Sequence, residues 1–539
     1  MLNLFLSKKT FLTLTLSWIL IILFSYIILP PAIDDLFYFW PSLNFYYENR
    51  VGMYEGNTFT TTFFQFPTFS VIQGFFLNIY GILNINIDNF SYRFFQKLLL
   101  TLLFVVTFFF TNQQSETVSK YFKINLFLIL ITFTPFTLGL VGSVRPEVLG
   151  ILLVITSLLI FNHLIIKNKM NEKFKFYIAS FLLGTAFTIH PQFFVITSFS
   201  GLIILYEFYK RTKNFTLIFS FAFFFLISPS IIFIWYYLSF PESLDFIFNR
   251  VEYIGTSPLL VVKKNFVNLL NQSFLISESS ILVKLYQAIF TLPYLIMIFL
   301  CIILIFKSSF NNKLNFIQKV FISIFLSSFV NFTFINMYDF YHGVFAYFTI
   351  LTLCFLIKNP ILSLEKFEYK KKFIAIFFVF IFLFNSLFII MHSSKYIFSN
   401  QKYYNMKSTL KKISPFLIDD TVLILTSEKL FGTFVGYFEK FYLINQYNKI
   451  YFLFPFPDAG PTNIQYINAK VFLKNHLMNF KPIKTIIAAE KKYVKINKDQ
   501  KDLELILNGG FKIFIKYNKI YFEDKDHIFI NFEKISLIN

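Results

Sequence analysis

Charge is scarce in this chain. Only 14% of its 539 residues are Asp, Glu, Lys or Arg, where a soluble protein has about a quarter. An ordinary soluble globular protein is therefore excluded. Cysteine is nearly absent, and Cys301 and Cys354 both fall inside apolar runs, so there is no disulfide framework and no cysteine-type metal spacing. No Gly-rich phosphate loop or nucleotide-binding motif occurs. Apolar and polar residues do not alternate in the hydrophobic stretches, which excludes a transmembrane barrel.

Apolar residues take the place of charge: 56% are hydrophobic and 83 are Phe. Together with abundant Ile, Asn and Lys, the Phe content reads as genomic bias toward A and T in a bacterium. Apolar runs of about 18 or more residues recur over the first three-quarters of the sequence, the pattern of membrane-spanning helices. In hydrocarbon only helices or closed barrels satisfy the backbone. The expected fold is thus an α-helical polytopic membrane protein with about eleven spans, near 10–30, 91–111, 124–142, 147–166, 176–190, 191–209, 214–238, 284–306, 317–337, 340–357 and 373–391. The first run is long for a signal peptide and lacks a clear small-x-small cleavage site, so it reads as an uncleaved helix.

The formal net charge is +20. In a soluble protein that would suggest nucleic acid, but here position accounts for much of it. One set of short loops, from Lys8 and Lys9 to "KNPILSLEKFEYKKK", holds about eighteen Lys and Arg, and the other holds about five. The positive-inside rule then places the N-terminus in the cytoplasm and the C-terminus outside. The expected organisation is a membrane domain over 1–391 and a soluble extracytoplasmic α/β domain over 392–539. Two outer loops, 31–90 and 239–283, belong to the membrane domain. Within the first, "PTFSVIQGFFLNIYGIL" is too polar to span and suits a helix lying along the interface. In the tail, "TVLILTS", "KIYFLFPF", "KTIIAAE", "FKIFIKY" and "KIYFED" read as strands. "NAKVFLKNHLMNF" and "KDQKDLELILNGG" read as helices.

Several polar positions bear on chemistry. Asp34 and Asp35 follow the first apolar run. A carboxylate there, beside a low-dielectric wall, suits a general base; equally, either Asp would cap a short interfacial helix. In "GSVRPEVLG", Pro146 and Glu147 suit a first helical turn, and Arg145 either binds a phosphate bidentately or snorkels. Arg93 opens the second span, as a lipid-phosphate ligand or an interfacial anchor. His190, in "TIHPQ", ends the fifth span, where a lone His is more often structural. Asp339 and His342, three apart, bind a sugar or satisfy each other. Asp34, Asp35, Arg93, Arg145, His190 and Asp339 are all expected on one membrane face. An enzyme on that outer face has no nucleotide sugars or ATP, so its activated donor would arrive on a lipid.

In the order of these features the chain resembles the GT-C superfamily of polyprenyl-phosphate-sugar-dependent glycosyltransferases, most closely its protein-O-mannosyltransferase and aminoarabinose-transferase branch. "DDLFY" matches the acidic pair and following tyrosine, with Asp34, Asp35 and Tyr38. "FPTFSVIQGFFLNIYGI" matches a Pro-led amphipathic segment. Arg93 matches the Arg that opens the second helix, and Arg145, Pro146 and Glu147 match an Arg-Pro-acid triplet. Three features differ: the second acid is Asp rather than Glu, "YDFYHGVF" stands where relatives often carry Arg-Tyr, and "HPQ" replaces a lysine.

The resemblance implies an inverting transfer of a sugar from a polyprenyl-phosphate carrier to a hydroxyl on a glycan, lipid or protein acceptor. Asp34 would be the base, Arg145 and Arg93 would hold the donor phosphate, and Tyr38, Glu147, His190, Asp339 and His342 would line the substrate site. No cofactor is firmly implied, although Asp35 could hold a divalent metal. Membrane lipids are the expected surroundings, and nucleic acid is not a partner. A polysaccharide polymerase or ligase, a lipid or solute transporter and a non-catalytic polyprenyl-lipid binder are the rival readings.

Overall fold

The computed structural model describes residues 8–28, 41–43, 45–46, 49, 51, 53–55, 58–60, 67–85, 89–113, 121–132, 145–167, 172–239, 281–310, 314–334, 342–357, 421–425, 450–452, 484–491, 494–507, 511–523 and 527–538. Asp34, Asp35, Tyr38 and Asp339, the expected span at 373–391 and the expected helix "NAKVFLKNHLMNF" lie outside the described residues. The chain divides into two compact units. One comprises Met1–Leu29, Phe64–Ile72 and Arg93–Ile397, and the other Pro30–Phe63, Gln73–Tyr92 and Phe398–Asn539.

The helices are α1 (Lys8–Ile28), α2 (Thr68–Ile82), α3 (Asn89–Gln113), α4 (Phe122–Thr132), α5 (Pro146–Ile166), α6 (Lys173–Phe187), α7 (Pro191–Thr212), α8 (Phe215–Ser239), α9 (Ile281–Phe310), α10 (Phe316–Phe334) and α11 (His342–Leu356). Among the described residues, four stretches are long and apolar enough to cross a membrane: Arg93–Gln113, Pro146–Ile166, Pro191–Thr212 and Phe215–Trp235. Their outer faces are apolar. On α8, Phe215, Phe219, Phe223 and Leu226 are exposed while Ser228 is buried. Apolar groups outside and small polar groups inside suit hydrocarbon as the solvent.

Local chemistry sets the helix ends. Pro146 and Pro191 begin α5 and α7 at the position where a missing N–H costs nothing. Asn315 and Gln318 form a reciprocal capping box on α10: Asn315 Oδ1 accepts from the Gln318 N–H at 2.9 Å, and Gln318 Oε1 accepts from the Asn315 N–H at 3.1 Å. Lys213 closes α7 in the left-handed region with φ 53°, and Asn214 Oδ1 then accepts from Thr216 N–H at 2.9 Å to start α8.

Helix pairs approach closely where side chains are small. A Cβ on Gly184 of α6 would collide with the Phe225 backbone of α8. The cause lies one turn further on. Pro229 is inside α8 and has no N–H to give the Phe225 carbonyl four residues back. That carbonyl is turned toward Gly184, and beside it Thr185 Oγ1 donates to Ser228 Oγ at 2.9 Å.

In the other unit, residues 41–46 pack on the later turns of α2. Ser42 Oγ donates to Gln73 Oε1 at 2.8 Å, and Gly74 and Gly81 make room for Phe45 and Tyr46. The 15-residue α2 agrees with the short amphipathic helix expected from the sequence. Its outward side is apolar, with Phe75, Ile79 and Ile82 exposed. Two short strands, β1 (Met53–Glu55) and β2 (Thr58–Thr60), pair antiparallel.

The same unit holds a seven-stranded sheet of β3 (Thr421–Leu425), β4 (Ile450–Phe452), β5 (Lys484–Glu490), β6 (Val494–Asn497), β7 (Asp502–Leu507), β8 (Phe511–Glu523) and β9 (His527–Ile538), in the order β4-β3-β5-β9-β8-β7-β6. The β3–β4 and β3–β5 pairs are parallel and the rest antiparallel. This corrects one expected helix: "KDQKDLELILNGG" is a turn followed by β7. Lys501 takes φ 53° in that turn, and Leu503, fully buried, pairs with Ile496 and Ile515 on the flanking strands. The apolar residues here follow the strand period, and cross-strand burial overrides helix propensity. "FKIFIKY" and "KIYFED" form one long strand, β8, rather than two, and bulges at Lys516/Tyr517, Tyr517/Lys519 and Ile520/Phe522 keep it in register.

Candidate functional site

The two ends of the helical unit differ in chemistry, and contacts between helices define each end. At one end, Phe11 of α1 meets Tyr121 and Phe108. Asn162 of α5 donates to Gln113 of α3 at 3.1 Å, Gln318 of α10 donates to the Phe355 carbonyl of α11 at 2.9 Å, and Lys319 pairs with Glu207 of α7. Lys8, Lys9, Lys123, Lys167, Lys210, Arg211 and Lys213 belong to helix termini at this end. They are at least partly solvent-accessible, with Lys123 packed over the Phe355 ring.

At the opposite end the charged groups are buried. Arg145, 1% exposed, sits in extended backbone (φ −139°, ψ 146°) immediately before α5. Inside a helix, residues i and i+2 point apart; here the extended Arg145 folds back onto Glu147. Its Nη2–H donates to Glu147 Oε1 at 2.8 Å, and its Nε–H lies 3.2 and 3.1 Å from the two carboxylate oxygens. Glu147 is fully buried. A buried ion pair is sustained only with good geometry and multiple hydrogen bonds, and this one has both. The pair is neutral as a unit.

His190 occupies the equivalent position before α7. Its Nδ1 accepts the Gln192 N–H at 3.4 Å, which requires an unprotonated Nδ1. It lies close enough to Glu147 and Arg145 to interact electrostatically with both. The α5 and α7 starts meet because Gly150 has no side chain: a Cβ there would overlap the Phe193 ring. From α10, Asn331 Nδ2 donates to the Gln192 carbonyl at 2.8 Å, which brings in the end of α10 as well. The backbone start of α11 at His342 follows in the chain and packs against α10.

Arg93 is brought to the same end through the start of α2. Thr68 Oγ1 donates to Thr188 Oγ1 at 2.8 Å, two residues before His190. Phe69 meets Phe95 with centroids 6.1 Å apart, two residues after Arg93. Arg93 is 1% exposed, and one turn later Gln96 and Lys97 are buried on the same face of α3. Among the described residues of the helical unit, Glu147 is the carboxylate at this end; Glu172 and Glu207 belong to the other. Arg93 and Lys97 are further basic side chains buried at this end.

The structure therefore brings Arg145, Glu147 and His190 within electrostatic reach of one another, with Arg93 and the backbone start of α11 at the same end of the helical unit. Asp34, Asp35, Tyr38 and Asp339 lie outside the described residues. No group of three or more His, Cys, Asp or Glu arranged for a metal occurs among the described residues, and Asp35, the expected metal position, is not among them. Lys97, Thr188, Gln192 and Asn331 were not singled out from the sequence. Lys97 was within reach, since it follows Arg93 by one helical turn; the others depend on tertiary contacts. No family model matches the chain, and no curated protein matches it.

Proposed function

We propose that the protein is an integral membrane glycosyltransferase of the polyprenyl-phosphate-sugar type, working on the outer face of the bacterial inner membrane. One observation supports this above the others: the starts of α3, α5 and α7, with the buried Arg93, Arg145, Glu147 and His190, lie at one end of a helical unit whose opposite end carries the accessible lysines. Lysine-rich ends face the cytoplasm, so the buried end would face outward. There an anion is favoured by the helix N-termini and by Arg93 and Lys97. A lipid phosphate is an anion that reaches such a site from the bilayer.

In this reading Asp34 takes the proton of an acceptor hydroxyl as its oxygen attacks the anomeric carbon. The bond from that carbon to the phosphate oxygen breaks, the sugar configuration inverts, and polyprenyl phosphate leaves. Arg93 and Arg145 stabilise the charge developing on the leaving phosphate, the kind of preorganised interaction that commonly supplies the largest part of catalysis. Asp35 orients the acceptor or holds a divalent metal. Tyr38, Glu147, His190, Asp339 and His342 line the sugar and acceptor site. The apolar face of α2 lies against the lipid tail, and the terminal sheet domain meets the acceptor.

Asp34→Asn and Asp35→Asn, made separately, test this by mass spectrometry of surface glycans. Loss of one glycan modification in at least one well-expressed variant is expected. Unchanged glycans in both variants refute the reading, and intact glycans with altered uptake in a deletion strain favour a transporter.

A further inference from the structure

A buried polar atom at the charged end lacks a partner. Asn331 is 2% exposed, its Nδ2 is committed to the Gln192 carbonyl at 2.8 Å, and its Oδ1 has no hydrogen-bond partner. The amide orientation follows from the network, since a carbonyl can be satisfied only by the nitrogen side. The rest of α10 behaves differently: the Ser327 and Ser328 hydroxyls donate to carbonyls of their own helix. An orphan buried acceptor is uncommon and invites an explanation. This one is held against the first turn of α7 through Gln192, at the end of the unit that carries His190 and the Arg145–Glu147 pair.

The sign of the group restricts what it can receive. A carbonyl oxygen repels phosphate oxygens and accepts from O–H or N–H. Beside an anion-attracting end, a lone acceptor fits a ligand that carries a hydroxyl close to its phosphate. Both a glycosyl phosphate and a glycerol-phosphate lipid headgroup have that chemistry. We infer that Asn331 Oδ1 accepts a ring hydroxyl of the donor sugar, making Asn331 a residue that selects the sugar. The inference rests on the transferase reading and adds a specificity contact that the resemblance does not supply.

The test uses the full chain in phosphatidylcholine nanodiscs, which offer no headgroup hydroxyl. The ligands are short-chain polyprenyl phosphate, the same lipid bearing mannose, its single-deoxy mannose analogues and phosphatidylglycerol. In the unaltered protein, one deoxy analogue is expected to bind about tenfold more weakly than the parent, the loss expected from one buried hydrogen bond. Asn331→Leu should weaken the mannosyl lipid by a similar factor, leave bare polyprenyl phosphate unchanged and erase the discrimination among analogues. Asn331→Ser, whose hydroxyl can bond its own helix as Ser327 does, serves if the leucine variant does not fold. Equal losses for all the lipids would make Asn331 purely structural and overturn the proposal. So would no loss for any of them, or a loss confined to phosphatidylglycerol. If the unaltered protein binds neither polyprenyl lipid, the transferase reading fails as well; if it binds both and the variants match it, only the Asn331 assignment fails.

Discussion

Gly184→Ala should loosen the α6–α8 contact. An added Cβ would overlap the Phe225 carbonyl oxygen and lie only 2.7 Å from its carbon and 2.9 Å from the Phe225 Cα. Carbon atoms pack at about 3.5 Å or more, so the helices must part by at least about 0.8 Å. The obstacle is backbone and cannot rotate away. Overpacking of this kind costs about 1–3 kcal/mol. Losing the adjacent Thr185–Ser228 bond adds about 0.6–1.7 kcal/mol, and the better helix propensity of alanine returns about 1 kcal/mol. The net expectation is about 2 kcal/mol of destabilisation. Gly201→Ala is the control, because a Cβ there meets the Phe221 ring at an ordinary 3.4 Å and should be neutral or slightly stabilising. Both variants are measured by unfolding in mixed dodecyl maltoside and SDS micelles, followed by circular dichroism. Equal midpoints for Gly184→Ala and Gly201→Ala would refute the close approach.

Glu147→Gln removes the Glu147 carboxylate from the buried Arg145 guanidinium, and a destabilisation of up to about 3–5 kcal/mol is expected in the same unfolding assay. A double replacement, Arg145→Met with Glu147→Leu, should recover much of that loss. In the sheet, a hydrogen bond from Lys491 at 2.8 Å, helped by Lys498 at 3.6 Å, holds the Glu523 carboxyl below its ordinary value. Because its folded-state value is depressed, its contribution is present above the unfolded carboxylate pKa and fades as pH falls through the folded one. The protection factors of the β8 amides in the full chain, corrected for intrinsic exchange at each pH, should therefore fall on acidification more in the native protein than in Glu523→Gln. The effect is small because all three side chains are solvent-accessible.

Much of the helical pattern is legible in the sequence because hydrocarbon demands long apolar runs. The expected spans 147–166, 191–209 and 214–238 correspond to α5, α7 and α8, with Pro146 and Pro191 marking two of the starts. The sheet is less legible. Short apolar runs do not separate strand from helix, so "DLELIL" reads as helix until Leu503 is seen buried between two strands. The last strand, "HIFINFEKISLI", is β9, which joins the parallel and antiparallel halves. At the charged end, residue type was informative and pairing was not. Arg145 and Glu147 stand out separately, but their ion pair depends on extended backbone at Arg145, which spacing alone does not reveal. Asn331 meets Gln192 across 139 residues of chain, and no local pattern encodes that contact.

Whether the end that holds the buried Arg93 and Arg145 receives a lipid phosphate is measured most directly by native mass spectrometry of the full chain with short-chain polyprenyl phosphate and the matching uncharged polyprenol. The phosphate should bind at least about tenfold more tightly, as a charge-assisted contact to a buried guanidinium requires, and Arg93→Gln should remove most of that preference. Equal binding of the two lipids, or an undiminished preference in Arg93→Gln, would contradict the account.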